Sequence, residues 1–289
     1  DRSLAEKRVD AMKLIPEIPV HAVDLWYAYV DKLIASDSIE NHLQVLSNSE
    51  KAQLSRFSLD RVRQESLAAR LLSRHALSFY AGVAPSRWQF EKGIRGKPHV
   101  VAPWEGFRAF NLAHSANLVV FAIAREGLLG VDVESLDRST TGIPLARRFF
   151  AAQEVEQMLA MPSEMQRESF LQFWTLKEAY IKAVGDGLAM PLDQFFFDLT
   201  GAGPARLHVR DVAEAGSSWL FTQLRLPSRH HISMGINHPM LVEEKNKQQM
   251  LVRAREFQST RAPIPNADIV CMEKNAWHFS PESSRSMRG

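Results

Sequence analysis

The alternation of apolar and polar positions divides the chain into strands and helices. VHAVDLWYAYV, at 20–30, is apolar with few breakers and predicts a strand. SNSEKAQLSRF opens a helical region that continues through RVRQESLAARLLSRHALSFYAGV. There Leu67, Leu71, Leu72 and Leu77 recur near helical spacing, and Gly82 is a stop signal. Two glycines and a proline make GIRGKPHV a turn. AFNLAHSANLVVFAIAREGLLGVDVES reads as strand, hairpin, strand, punctuated by Gly127 and Gly130. One helical segment runs through LARRFFAAQEVEQMLA to Pro162. Ser163 with Gln166 predicts a capping-box start for the next helix, which ends near Gly185 and Gly187. LDQFFFDL, ARLHVRD, SWLFTQLRL and HHISMGI are strands. Beyond Leu241 the signals fade, and EEKNKQQMLVRAREFQSTRAPIPNAD reads as a helix followed by a loose tail, dispensable for catalysis. Residues 1–14 read as a polar helix or arm. The pattern is α+β with antiparallel hairpins and no short-period repeat.

Composition narrows the function classes. A chain of 289 residues holds one large domain or two modest ones. With 35 basic and 33 acidic residues, the net charge of +2 argues against a strongly basic nucleic-acid binder and leaves room for a local basic pocket. The single cysteine, Cys271, can form neither an internal disulfide nor a thiolate metal cluster, which fits a reducing compartment. No apolar run approaches the roughly eighteen residues of a membrane-spanning helix. The charged start DRSLAEKRVDAMK lacks the apolar core of a signal peptide, so a cytoplasmic location is expected.

Two stretches carry candidate chemistry. In GVDVES, strand alternation sends Val131 and Val133 to one face and Asp132 and Glu134 to the other. Two carboxylates beside a glycine-rich turn suit Mg²⁺, which takes a few protein oxygens and completes its shell with phosphate and water. The same spacing also fits a half-exposed strand with a solvated acidic face. In FWTLKEAYIKAVGDG, a helical wheel of ~100° per residue gathers Phe170, Phe173, Trp174, Ile181 and Val184 into an apolar stripe. Lys177 falls inside that stripe, and Glu178 and Lys182 flank it four residues apart. A lysine on a packing face must snorkel out or meet an anion. NLAHS adds His114 and Ser115 at a strand edge. GIRGKP adds Arg95 and Lys97 on a turn, with Lys92 just before it. Scattered bases and carboxylates of this kind suit a polyphosphate bound with Mg²⁺, or simply make exposed charged loops.

The order GKP, NLAHS, GVDVE, WTLKEAYIKAVGDGL resembles the signature motifs of the Sfp-type 4′-phosphopantetheinyl transferases. The W-x-x-K-E-A/S-x-x-K pattern is met by Trp174, Lys177, Glu178, Ala179 and Lys182, and G-x-D-x-E by Gly130, Asp132 and Glu134. The likeness covers about residues 20–240, with Ala113 standing where the family more often has serine. It implies a pseudo-dimer of two similar α+β halves with a coenzyme A cleft between them. The halves would be 1–125 and 126–240, followed by an extension, 241–289, of unknown role. It implies the activity of a holo-[acyl-carrier-protein] synthase, moving the phosphopantetheine arm of coenzyme A to a serine of an acyl or peptidyl carrier protein.

By the same resemblance, Asp132, Glu134 and Glu178 hold Mg²⁺, with Mn²⁺ as the alternative. Glu178 is the base, Lys182 meets the phosphates, and Lys177 orients Glu178 or the phosphates. His114, Ser115 and Lys97 contact coenzyme A, with Arg56, Arg61, Lys92 and Arg95 as further phosphate contacts. Glu154 is a second candidate near the metal. Arg147 and Arg148 would steer an acidic carrier. A monomer that binds neither nucleic acid nor membrane is expected. The rival readings are a Mg²⁺-dependent phosphohydrolase or nuclease, and a non-catalytic binder of carrier protein or coenzyme A.

Overall fold

The computed structural model describes residues 17–93, 98–101, 109–137, 142–185, 190–201, 203–210, 218–242, 250–260, 268–270 and 277–278. The arm at 1–14 lies outside them. Strand β1 (Ala22–Tyr29) is followed by the short helices α1 (Val30–Ala35), α2 (Ile39–Gln44) and α3 (Asn48–Ser55), then by the long helix α4 (Asp60–Ala81). Helix α3 starts on a capping box, in which Ser47 and Glu50 each satisfy a backbone N–H of the other. Helix α4 stops at Gly82, whose φ of 63° is the left-handed conformation that glycine adopts without strain. A short hairpin, β2 (Phe90–Lys92) and β3 (Pro98–Val100), precedes the strand pair β4 (Ala109–Ser115) and β5 (Leu118–Ala124).

The same order then recurs. Strand β6 (Leu128–Ser135) leads through α5 (Ile143–Phe149) and α6 (Ala152–Leu159) to the long helix α7 (Gln166–Val184). A short hairpin follows, β7 (Phe195–Asp198) and β8 (Arg206–Val209), then the strand pair β9 (Trp219–Arg225) and β10 (His230–Asn237). Pairing repeats as well: β5 lies between β4 and β1, and β10 lies between β9 and β6, all antiparallel. The two halves therefore share one topology, as the resemblance implies.

Alternation in the strands builds three layers of core. Val23, Leu25, Val120, Ala122, Val131, Val133, Ile232 and Met234 form one cluster shared by the inner faces of both sheets. The outer face of the first sheet, with Trp26, Val119 and Phe121, packs on Leu67, Leu71 and Leu72 of α4. Phe221 of the second sheet packs with Phe170, Phe173 and Tyr180 of α7. The order is helix, sheet, sheet, helix, with nearly continuous apolar strands between covered faces. Among the described residues no helix is long and apolar enough to cross a membrane.

Three local expectations are corrected. The helical run before Pro162 is two helices. Phe150 is extended between them, and its ring stacks on Phe170 with centroids 5.4 Å apart. The Ser163–Gln166 capping box does not form. The Ser163 hydroxyl donates to Glu164, the Gln166 amide donates to the Met161 carbonyl, and α7 begins after Met165 without a side-chain cap. The last correction concerns the tail. Leu251–Glu256 is a strand, β11, which lies parallel to β1 in the first sheet. Its pattern has period two: Val252 and Ala254 enter the central core, while Arg253 and Arg255 reach the buried Asp24 of β1. Strand β12 (Asp268–Val270) pairs with β11, and β13 (Trp277–His278) pairs with β9 of the second sheet.

Candidate active site

Close approach of α7 to β6 sets the site. A Cβ on Gly130 would lie 1.9 Å from the Ala179 carbonyl oxygen and 2.6 Å from the Ala183 nitrogen, so only glycine allows this contact. Thr175, one turn before Ala179, meets Ser233 of β10 at 2.6 Å between hydroxyl oxygens. Asp132 and Glu134 share the Gly130 face of β6, and Glu178 and Lys182 flank Ala179 on the facing side of the helix. The first link in the site is thus steric: small residues let the helix lie close enough for its charged residues to meet those of the strand.

Asp132 and Glu134 are both buried. The Lys182 ammonium donates to Asp132 Oδ1 at 2.6 Å. Oδ2 of the same carboxylate is buried without a hydrogen-bond partner. Burial pushes the Asp132 carboxyl up to about 7. Lys182 opposes that shift, and the neighbouring charges of Glu178 and Glu134 add to it. An orphaned buried oxygen among three carboxylates fits a hard divalent cation. Among the described residues no group of three or more Asp, Glu, His or Cys side chains stands gathered to hold a metal ion by itself, so an ion here would draw further ligands from phosphate and water.

Lys177 lies elsewhere. It projects from the opposite side of α7, fully buried, with its ammonium 2.8 Å from the equally buried Glu154 carboxylate. It donates to the Leu192 and Phe195 carbonyls at 2.6 and 2.8 Å, and sits 4.2 Å from the centre of the Phe195 ring. Glu154 accepts in turn from the Phe197 and Ala151 backbone N–H groups. Burial lowers the Lys177 pKa, which Glu154 opposes, and raises Glu154 to about 6, which Lys177 opposes. The lysine in the apolar stripe is therefore the anchor of α6 and the β7 region on α7. It is remote from the Asp132 carboxylate, and Glu154 belongs with it.

The first half brings its own groups to the seam where edge strand β4 meets edge strand β6. Strand alternation separates His114 from Ser115. His114 is half exposed on the α4 side, with Nδ1 3.6 Å from Glu65, which also pairs with Arg61 at 2.9 Å. Ser115 faces the second sheet, and its hydroxyl donates to Glu134 Oε2 at 2.9 Å. On the same face, Asn111 Oδ1 accepts from the Val131 N–H at 3.0 Å, occupying a donor on the open edge of β6. The N-x-x-x-S spacing signals that shared face in the sequence, but not its partner. Arg56 is exposed at the end of α3, and Lys92 lies in β2. Arg95 and Lys97 lie outside the described residues. A cavity of about 560 Å³ opens among α3, α4 and the β2–β3 hairpin, lined by Glu50, Arg70, Arg74, Phe90 and Pro98.

Residues 128–234 match the 4′-phosphopantetheinyl transferase superfamily, and residues 35–126 match the 4′-phosphopantetheinyl transferase N-terminal family. The 4′-phosphopantetheinyl transferase HetI of Nostoc sp. is 35% identical over 186 residues, 64% of this chain and 77% of HetI. The chain belongs to the 4′-phosphopantetheinyl transferase superfamily. The phosphopantetheinyl transferase Sfp of Bacillus subtilis is 27% identical over 63% of this chain and 80% of its own. A solved holo-[acyl-carrier-protein] synthase of Thermotoga maritima overlaps 39% of this chain and 62% of its own, at 22% identity and a TM-score of 0.32. For a phosphopantetheinyl transferase, the seam between the two halves unites three of the motifs that the resemblance rests on. NLAHS ends β4, GVDVE runs along β6, and Glu178, Ala179 and Lys182 of KEAYIK lie toward it on α7.

Proposed function

We propose that the chain transfers the phosphopantetheine arm of coenzyme A to a serine hydroxyl of an acyl or peptidyl carrier protein, releasing 3′,5′-ADP. One observation carries this reading: the buried Asp132 carboxylate, held by Lys182 on one oxygen and unpartnered on the other, stands among Glu134 and Glu178. Asp132, Glu134 and Glu178 would hold Mg²⁺ or Mn²⁺, and such an ion would neutralise and orient the pyrophosphate oxygens. Glu178, half-buried on α7, takes the proton of the incoming serine as its oxygen bonds to the β-phosphorus and the phosphoanhydride bond breaks. Lys182 stabilises the negative charge on the departing ADP oxygen. His114 faces the phosphates from the first half. Arg56, Arg61, Lys92, Arg95 and Lys97 serve the nucleotide end.

Carriers are acidic, and Arg147 and Arg148 are exposed in the last turn of α5 beside the exposed Phe149, a surface suited to steering and docking them. The two halves supply one site, so a single chain suffices. The domain boundaries near 125 and 240 follow the repeat, with 241–289 as the segment that laces both sheets. In a transfer assay on a purified carrier, Glu178→Gln is expected to lower the rate by at least about a hundredfold with an unchanged urea midpoint. Near-normal transfer by that variant would remove Glu178 as the base.

A further inference from the structure

The β4–β5 turn joins Ser115 to Leu118 through two residues, and both have positive φ: 40° at Ala116 and 73° at Asn117. A two-residue turn of this kind favours glycine, and alanine in it is strained. Such strain persists only where the surroundings over-determine the turn, and here they do. Asn117 accepts from the Val30 N–H through its carbonyl and from the Asp31 N–H through its side chain. From the other half, the buried His230 brings Nε2 to within 3.2 Å of the Ser115 carbonyl and 3.0 Å of the Ala116 carbonyl. Two carbonyl oxygens can only accept, so Nε2 carries the proton. In the neutral ring Nδ1 is then an acceptor for the Ser228 hydroxyl at 3.0 Å, which in turn accepts from the Tyr29 hydroxyl at 3.0 Å.

Every bond in this chain has one direction, and the turn it clamps carries the hydroxyl that donates to Glu134. We infer that Ser115 is a positioning residue for Glu134, and that His230, reaching across from the second half, holds Ser115 in place. The hydrogen bond at Oε2 fixes the plane of the Glu134 carboxylate, as outer-shell partners do for metal ligands. Ser115 therefore acts on the protein's hold on the divalent cation rather than on coenzyme A. This inference rests on the proposed carboxylate site.

The test is a Mn²⁺ titration of the full chain with coenzyme A present, followed by electron paramagnetic resonance, on wild type, Ser115→Ala, Ser115→Thr and His230→Gln. Ser115→Ala is expected to raise the Mn²⁺ dissociation constant by about ten- to a hundredfold. With the cation saturating, KM for coenzyme A should stay unchanged; Thr should restore the affinity, and His230→Gln should fall between. Wild type that binds no Mn²⁺ would overturn the carboxylate site and this inference with it. Wild type that binds, with Ser115→Ala binding equally well, would overturn the positioning role alone. Because variants can misfold, long-range ¹H–¹⁵N spectra of the wild type give a second check. The Nε2–H tautomer is expected at His230, and an Nδ1–H tautomer there would contradict the clamp.

Discussion

Removing Lys177 tests a structural role. The pair it makes with Glu154 is fully enclosed, and a buried carboxylate stripped of its partner typically costs about 3–5 kcal/mol. Lys177→Met is therefore expected to lower the urea midpoint steeply, and the double variant Lys177→Met, Glu154→Gln to recover much of the loss. If Lys177→Met keeps its stability and loses only activity, the residue belongs to the reaction after all. His231 offers a pH test at the same scale. Burial holds its imidazole at about 4, below the usual 6.5, with Arg225 adding to the shift. A depressed histidine stabilises the fold fully above about 6.5, and that contribution is lost as the pH falls toward about 4. His231→Gln should thus gain on wild type by up to about 3 kcal/mol across that window, at 1.36 kcal/mol per unit. Parallel stability curves would contradict the assignment. Asp132 and Glu134 were legible as one face of a strand because alternation is local. The Lys177–Glu154 pair and the Ser115–Glu134 bond were not, since each depends on which elements pack together.

At the level of elements, contact between α7 and β6 decides whether the carboxylates and Lys182 meet. Gly130→Ala would drive a methyl group into the helix backbone of α7. The expected result is loss of transfer activity, together with a lowered melting temperature that no change at a neighbouring side chain relieves. Unchanged activity would mean that α7 can stand off from β6 without harm. The hydrophobic pattern disclosed both long helices and the strand pairs, because burial on one or two faces writes a period into the sequence. It missed β11 because Arg253 and Arg255, the polar half of its alternation, point at the buried Asp24 rather than at solvent. It missed the break at Phe150 because that residue leaves the helix to stack on a ring twenty positions away.

Across the whole molecule, two halves of one topology share a core, and the C-terminal segment ties them. Truncation before 250 would remove β11 from beside β1, expose the central cluster and leave Asp24 without Arg253. The expected product is insoluble or unfolded protein, read by circular dichroism and size exclusion. A folded and active truncation would show that β11 is dispensable. The repeat itself could not be read from residue similarity, because the halves share element order and pairing rather than spelling. The central claim is that this seam performs the transfer. The most direct test is the intact mass of an apo carrier protein after incubation with the full chain, coenzyme A and Mg²⁺, alongside an EDTA control. The account predicts a gain of one phosphopantetheine group on the carrier serine that EDTA abolishes. An unchanged mass on both acyl and peptidyl carriers, with Mg²⁺ and coenzyme A in excess, would contradict it.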